Sequence, residues 1–397
     1  MRNSSLTFYI EINNKSYIFF VGENDENGNL RIVYKLELPL TGIDNNRITN
    51  LEKISDLIKQ NVYIAEEKLN HTFKKIVLIL ENFNSTFINL SGYKRLNGSQ
   101  ILRENITYIL NTLKSCVDET ESKKTILHIF NSKFYLDNKK VENLPIGLFG
   151  DFYSHELSFI LINSNDEKNL KIIFDKINLK IDKILVKSFI TGANIISNHK
   201  KTDTFFYVRI NENNTKIFYF ENSSLKSEQY FKFGTNIIIK DISKITTLNI
   251  DSIKTILEKI KFSENNLEEE LIEQNFFNDN FYRKIKKKLI YEIALARVKE
   301  ISEIILFKNI NFVHYNKVSN NIFLELDDNS QLKSFKEIFK KTFSIHKKYN
   351  VNFINLSSEG MLNTANKIVH FGWKNEAIPI SQSKKSKIAR FFHTIFG

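Results

Sequence analysis

Cysteine, proline and glycine are scarce in this 397-residue sequence. Cys116 is the sole cysteine, so one chain can form neither a disulfide nor a cysteine-based zinc site. It reads as a helix residue with no base beside it. There are 12 glycines and 3 prolines. Loops that cradle phosphate rely on glycine, because backbone N–H groups must approach oxygens with no side chain in the way. This chain has few glycines for that purpose. No apolar run approaches the roughly 20 residues that cross a bilayer. The opening "MRNSSLTFYIEINN" is polar and strand-like, without the apolar core of a secretory signal, which predicts a cytosolic protein. HExxH, GxSxG, Walker and CxxC patterns are absent. The 8 histidines are scattered without paired metal spacing, so each reads as structural or surface.

What remains is a chain built to fold. With 42% hydrophobic and 13% aromatic residues it can bury a real core, and its length suits two or more domains. The net charge of +12 and pI near 9.3 favour anionic partners: lipid, an acidic peptide or nucleic acid. Half of that charge is set aside as a general bias toward Lys, Asn and Ile. Nucleic acid ranks last, because no nucleic-acid module accompanies the lysines.

Leu6–Ile12, Ser16–Val21 and Arg31–Leu38 read as three strands with turns between them, closed by Pro39. Ile54–Leu69 reads as an amphipathic helix and Lys75–Glu81 as a buried strand. Thr125–Phe130 and Phe134–Leu136 read as a strand pair, followed by the turn cluster "LPIGLFG". Then come a strand at Glu156–Ile162, a helix at Glu167–Ile177 and a short strand at Lys183–Val186. The opening pattern then returns. Phe205–Ile210, Lys216–Glu221 and Gln229–Phe233 are three strands with turns, ahead of a helical run at Ile237–Ile245. Such a duplication, about 195 residues apart, predicts two similar α/β halves around a cleft.

The chain ends in "SKKSKIARFFHTIFG". On a helix, Ile388, Phe391, Phe392, Ile395 and Phe396 form one apolar stripe, with Lys387, Arg390 and His393 opposite. The segment is too short to span a bilayer and suits the interface of an anionic membrane. The stretch before it, "AIPISQSKKS", reads as a linker. One such foot binds weakly and reversibly, so the tail implies an assembly that multiplies it. The competing reading is a terminal helix docked on the protein's own core.

Several stretches resemble the bacterial division protein FtsA, an actin-fold protein. "IEINNKSYIFFVGE" (Ile10–Glu23) stands where that family has its first phosphate hairpin, and "LTGIDNNRITN" resembles its Gly-Ile turn. "AEEKLNHTFKKIVLIL" resembles its helix-to-strand passage. "HIFNSKFYLDNKKVENLPIGLFG" (His128–Gly150) resembles the inserted subdomain that sets FtsA and its pilus relative PilM apart from actin. "GTNIIIKDIS" (Gly234–Ser243) and "LARVKEISEII" (Leu295–Ile305) resemble helices of the second half. The resemblance implies a duplicated, ribonuclease H-like actin fold. Its first half would be 1–83 with 165–200, and the inserted subdomain 84–164. The second half would be 201–245 with 300–375, a small subdomain 246–299, and the linker and membrane helix 376–397.

It also implies where nucleotide would sit, and there the motifs depart. Glu11, Asn13 and Asn14 occupy the first loop, where the family has Asp and then Gly-Thr. In the second loop, "RINENNT", Arg209 replaces the Asp and Asn211, Glu212 and Asn213 replace glycines, leaving Thr215. Gly234 begins the following helix, and the adenosine-side turn is "YNKVSNN" without glycine. A cation in place of an acidic residue and a carboxylate among the phosphate positions predict a protein that is no enzyme and needs no cofactor, with ATP the one to test. The basic run Phe281–Glu300 falls where the resemblance places a site for the acidic FtsZ tail, with Arg283, Lys287, Lys288 and Arg297 as its cations; its plainer reading is a solvated helix face. Expected partners are the FtsZ tail, other copies of the chain, anionic lipids and other division proteins. The expected location is the cytoplasmic face of the inner membrane at the septum. Alternatives are a PilM-like pilus platform and an actin-fold ATPase that still turns over nucleotide.

Overall fold

The computed structural model describes residues 6–24, 30–44, 46–81, 83–199, 202–259, 270–277, 282–315, 318–319, 321–326, 335–345, 349–373 and 375–377. They divide into two compact units. Unit 1 holds the described residues up to His199, the segment Glu221–Lys226 and those from Ser357 onward. Unit 2 holds Thr202–Phe220 and Ser227–Leu356.

In unit 1, β1 (Leu6–Ile12), β2 (Ser16–Asn24) and β3 (Leu30–Pro39) form an antiparallel meander. A small ribbon, β4 (Ile43–Asp44) and β5 (Arg47–Ile48), leads into α1 (Leu51–Leu69). The Asn50 side chain caps α1 by accepting the Lys53 N–H, and Asn70 ends it in the left-handed region. Ile54, Ile58, Val62 and Ala65 form its buried stripe. Next come β6 (Lys75–Leu80), β7 (Thr86–Arg95), α2 (Arg103–Thr120), β8 (Lys124–Leu136), β9 (Lys139–Val141) and β10 (Phe152–Asn163). The run closes with α3 (Ser164–Asp175), β11 (Lys180–Val186) and α4 (Lys187–Asn198). One sheet has the order β11-β6-β1-β2-β3 and a second β7-β10-β8-β9, each over its own apolar core.

Unit 2 repeats the first design. It contains β12 (Phe205–Ile210), β13 (Thr215–Glu221) and β14 (Ser224–Phe231), apart from the end of β13 and the start of β14 that fall in the unit 1 segment Glu221–Lys226, and α5 (Asn236–Thr246), α6 (Ile250–Lys259) and α7 (Lys287–Ser302). Then follow β15 (Asn321–Leu326), α8 (Lys336–Ser344) and β16 (Asn350–Phe353). Its sheet order, β14-β13-β12-β15-β16, matches β3-β2-β1-β6-β11 strand for strand. In both, the first strand pairs antiparallel with the second and parallel with the inner later strand. The duplication read from the sequence is therefore a duplication of topology. The helices between residues 250 and 302 share one apolar core with this sheet.

Several boundaries differ from the sequence reading, each for a physical reason. Thr125–Phe130 and Phe134–Leu136 are one strand, β8, which continues through a bulge: Asn131 faces Leu157 and Lys133 faces Glu156, leaving Ser132 extra. β14 starts at Ser224 rather than Gln229. Its polar beginning looks like loop, yet Ser224 and Lys226 are buried. The Ser224 hydroxyl donates to the Asn131 carbonyl, and Lys226 pairs with Glu156 on β10. α3 begins at Ser164, capped by Asn163. α9 (Ser358–Phe371) belongs to unit 1 and not to the second half. Asn366 on α9 accepts the Tyr9 hydroxyl from β1 at 2.7 Å, and Thr364 accepts from Asn194 on α4 at 2.9 Å.

The shortage of glycine is met by asparagine. Among the described residues, seven of the nine non-glycine positions with positive φ are Asn or Asp, including Asn46, Asn97, Asn138, Asn178 and Asn222. Their short polar side chains tolerate that conformation better than other residues do.

Candidate nucleotide and partner sites

In open α/β sheets, ligands gather at the carboxyl ends of the parallel strands. In unit 1 those ends belong to β1, β6 and β11, and each delivers a charged residue there. Glu11 is the penultimate residue of β1, Glu81 follows β6, and Lys187 follows β11 as the first residue of α4. The Lys187 ammonium donates to Glu11 Oε1 at 2.6 Å and to Glu81 Oε2 at 2.8 Å. All three side chains are largely shielded from solvent. Burial pulls the Lys187 pKa down, but the Glu81 and Glu11 carboxylates outweigh it and hold it above the ordinary lysine value. The triad carries a net negative charge at the N-terminus of α4, where an anion would otherwise be welcome.

The turn beside it is closed by its own side chains. Asn13 Oδ1 accepts from the N–H groups of Lys15 and Ser16 at 2.8 and 2.7 Å. Neither Asn13 nor Asn14 has positive φ. The hairpin keeps its shape through an Asx turn, not through the left-handed geometry of glycine.

Unit 2 closes its matching turn by a different route. Arg209, on β12, faces Glu325 on β15 and pairs with it at 3.6 Å. The cation is thus matched inside the sheet. Asn211 Nδ2 donates to Asn214 Oδ1 at 2.7 Å, and Asn213 Oδ1 accepts from Asn236 at 2.8 Å. The Thr235 and Asn236 N–H groups, at the start of α5, donate to the carbonyls of Asn211 and Glu212 at 3.0 and 2.9 Å. Donors that could greet a phosphate are spent on the turn itself. Thr215 is fully buried and donates to the Phe233 carbonyl at 2.9 Å. Gly234 has a packing reason to be glycine: a Cβ there would lie 2.0 Å from the Asn211 carbonyl oxygen. Gly234→Ala is expected to lower the unfolding free energy by about 1–3 kcal/mol, the usual cost of overpacking. Urea unfolding checks this, and an unchanged midpoint would show that the turn yields freely. On the adenosine-side stretch, Tyr315 stacks on Tyr219 with centroids 4.2 Å apart.

No protein-family model matches the chain. The cell division protein FtsA of Buchnera aphidicola subsp. Schizaphis graminum is 22% identical over 308 residues, 77% of this chain and 73% of that protein. FtsA of Buchnera aphidicola subsp. Baizongia pistaciae is 25% identical over 387 residues, 92% of this chain and 90% of its own. This chain is a distant, full-length homologue of FtsA. A chain of the PilM–PilN type IV pilus biogenesis complex superposes with a TM-score of 0.51 at 9% identity, covering 93% of this chain and 96% of that one. That likeness speaks of fold alone. The fold of this FtsA homologue is the actin-like ATPase fold, α/β with two mixed five-stranded sheets.

The cations read as a partner site are spread along one stretch of unit 2. Arg297 on α7 pairs with Asp241 on α5 and with Glu300. It braces two helices. Lys287 pairs with Glu270 at 2.6 Å, and Arg283 donates to the Thr247 hydroxyl. Residues 270–272 and 285–287 lie side by side: Leu271 bridges Lys286, and the Ile272 N–H donates to the Ile285 carbonyl at 2.9 Å. Leu271, Tyr282 and Leu289 are exposed around this basic ribbon. Lys288, on the first turn of α7, is half-buried.

The tail residues Lys387, Ile388, Arg390, Phe391, Phe392, Ile395 and Phe396 lie outside the described residues. Among the described residues, no helix is long and apolar enough to cross a membrane and no group of side chains could hold a metal ion. The structure adds residues that the sequence did not single out. Lys187 and Glu81 complete the strand-end triad. Glu376, the first residue of the segment read as linker, instead accepts from His128 Nδ1 at 2.9 Å and from Lys183 at 3.0 Å, and Ala377 pairs with Ile129. The His128 Nε2 accepts the Val186 N–H, which fixes the tautomer. The one usable signal was position: a charged residue at the end of an apolar strand, as in "KIVLILE".

Proposed function

We propose that this FtsA homologue is a cell-division scaffold that works without nucleotide turnover. It tethers FtsZ filaments to the inner face of the cytoplasmic membrane at the septum and self-associates. The observation that carries this reading is collinearity with FtsA over 92% of the chain. The strand-end chemistry supports the nucleotide-independent part. In unit 1 the strand ends present the Glu11 and Glu81 carboxylates, and in unit 2 the N–H groups at the start of α5 are already engaged by the turn beside them. Isothermal calorimetry with ATP and Mg²⁺ is expected to show no binding heat at millimolar nucleotide; micromolar binding would restore the ATPase reading.

The membrane contact is assigned to the stripe Ile388–Phe396 with Lys387 and Arg390 among anionic headgroups. Self-association multiplies this weak foot. Phe391→Glu with Phe392→Glu should abolish flotation with liposomes containing anionic lipid, and unchanged flotation would remove the tail from the membrane. The FtsZ contact is assigned to the basic ribbon, where Arg283, Lys287 and Lys288 stand beside exposed Tyr282 and Leu289. That mixture suits an acidic tail carrying apolar side chains. Arg297, on the same helix, supports the site by bracing α7 against α5.

A further inference from the structure

The sheet β7-β10-β8-β9 treats its two edges differently. The β8 side is covered in part: β9 pairs with Phe134–Leu136, and the chain's own residues 375–377 return to bridge Ile129–Asn131. The Asn131 N–H donates to the Asn375 carbonyl at 2.6 Å and the Ala377 N–H to the Ile129 carbonyl at 2.7 Å. The Trp373 indole donates to the Ser223 carbonyl at 3.1 Å, and Glu376 is locked by His128 and Lys183. This sheet therefore already accepts a short extended segment at one edge.

The β7 side has no such cover among the described residues. β7 is ten residues long and pairs with β10 in an unbroken antiparallel register from Thr86 to Arg95. Not one of its residues is buried. Exposed edges are normally protected by proline, by a bulge, by shortness or by charge along the strand. β7 has none of these between Thr86 and Tyr93, which are all uncharged. Its only charges, Lys94 and Arg95, stand together at its C-terminal end.

Both faces of β7 are furnished. On one, Gly92 lets α2 come close, since a Cβ there would lie 2.6 Å from the Ile109 side chain. Tyr108 of α2 is exposed beside the strand, with the Lys94 ammonium 4.4 Å from its ring centroid. On the other face Tyr93 is exposed and stacks on Phe152, and Asn89 donates to the Lys226 carbonyl. The edge therefore offers backbone pairing, aromatic walls and a cationic end.

We propose that β7 is an acceptor edge for an extended acidic peptide, which adds as an antiparallel strand. Every pairing in this sheet is antiparallel. An added strand of that sense brings its N-terminal end opposite Lys94 and Arg95. The ligand class is thus an extended segment with carboxylates at its N-terminal end and alternating β-branched or aromatic residues behind them. Main-chain bonds supply affinity, and the charged end sets direction.

The test uses the full chain and a ten-residue synthetic peptide: three aspartates followed by alternating valine and threonine, read by fluorescence anisotropy. Saturable binding is expected. Moving the aspartates to the C-terminal end should weaken it, and prolines at alternate positions should abolish it. Lys94→Glu with Arg95→Glu should weaken binding by tenfold or more at unchanged melting temperature. Arg95→Gln, the milder change, should weaken it by a few-fold. Equal binding of the proline-containing peptide would overturn strand addition, as would indifference to both charge changes. A dimer joined through β7, shown by cross-linking between Ser91→Cys chains, would overturn it in favour of a second copy.

Discussion

Lys187→Met is expected to lower the unfolding free energy by about 3–5 kcal/mol, the usual cost of stripping the partner from buried charges. The geometry makes the site unforgiving. One ammonium serves two carboxylates at 2.6 and 2.8 Å, and all three groups sit where three parallel strands end. Remove the cation and Glu11 and Glu81 face each other with little water to separate them. The net worth of the triad is a different quantity, because its desolvation offsets much of its attraction. Adding Glu11→Gln and Glu81→Gln to Lys187→Met should therefore recover most of the loss. Urea unfolding of the single and triple variants decides it. A single-variant loss below about 1 kcal/mol would mean that solvent reaches the site and treats it as a surface pair. The same triple variant removes the charge argument against phosphate. Nucleotide binding gained by it alone would show that the triad excludes nucleotide.

The contrast between what the sequence displays and what it hides follows from range. The meander β1–β3 and its repeat β12–β14 are visible because alternating apolar residues and polar turns are local signals. The resemblance to FtsA was likewise readable, because it is spread across the chain. The start of β14 was not visible, since Ser224 and Lys226 look like loop until Asn131 and Glu156, far away in the sequence, bury them. The same holds for Lys187, whose partners lie 176 and 106 residues away. Bound charge and exposed charge look alike in a sequence. Arg297 read as a partner-facing cation and stands instead between Asp241 and Glu300. The scarcity of glycine was legible, but the way the two turns close without it was not. Asn13 works through its side-chain carbonyl, and the left-handed asparagines lie elsewhere.

Acid will weaken the fold from about pH 6.5 downward, and His155 is the reason. This residue is 1% exposed in the core between β10 and α2, and neither ring nitrogen has a hydrogen-bond partner. Phe134 and Tyr153 are its ring neighbours, at centroid distances of 4.7 and 6.1 Å. Burial pushes its pKa down from 6.5 to about 3, against a weaker pull from Glu156. Below pH 6.5 the unfolded chain takes up a proton that the folded one refuses, so unfolding gains with each proton bound. The stability lost is about 1.4 kcal/mol per pH unit, or roughly 2 kcal/mol by pH 5. Glu376 opens a second window lower down. Burial raises its pKa, but Lys183 and His128 outweigh it and hold the value at about 2, so its contribution fades as pH falls from 4.5 toward 2. His155→Leu separates the two. It should flatten the profile between pH 6.5 and 5 while leaving the lower limb intact. At pH 7 it should add about 1–3 kcal/mol, because two unpaired polar atoms leave the core. Urea unfolding at pH 7, 6 and 5 reads both effects. Parallel profiles for the two proteins would mean that water reaches the imidazole and that the core beside β10 is wetter than its packing indicates.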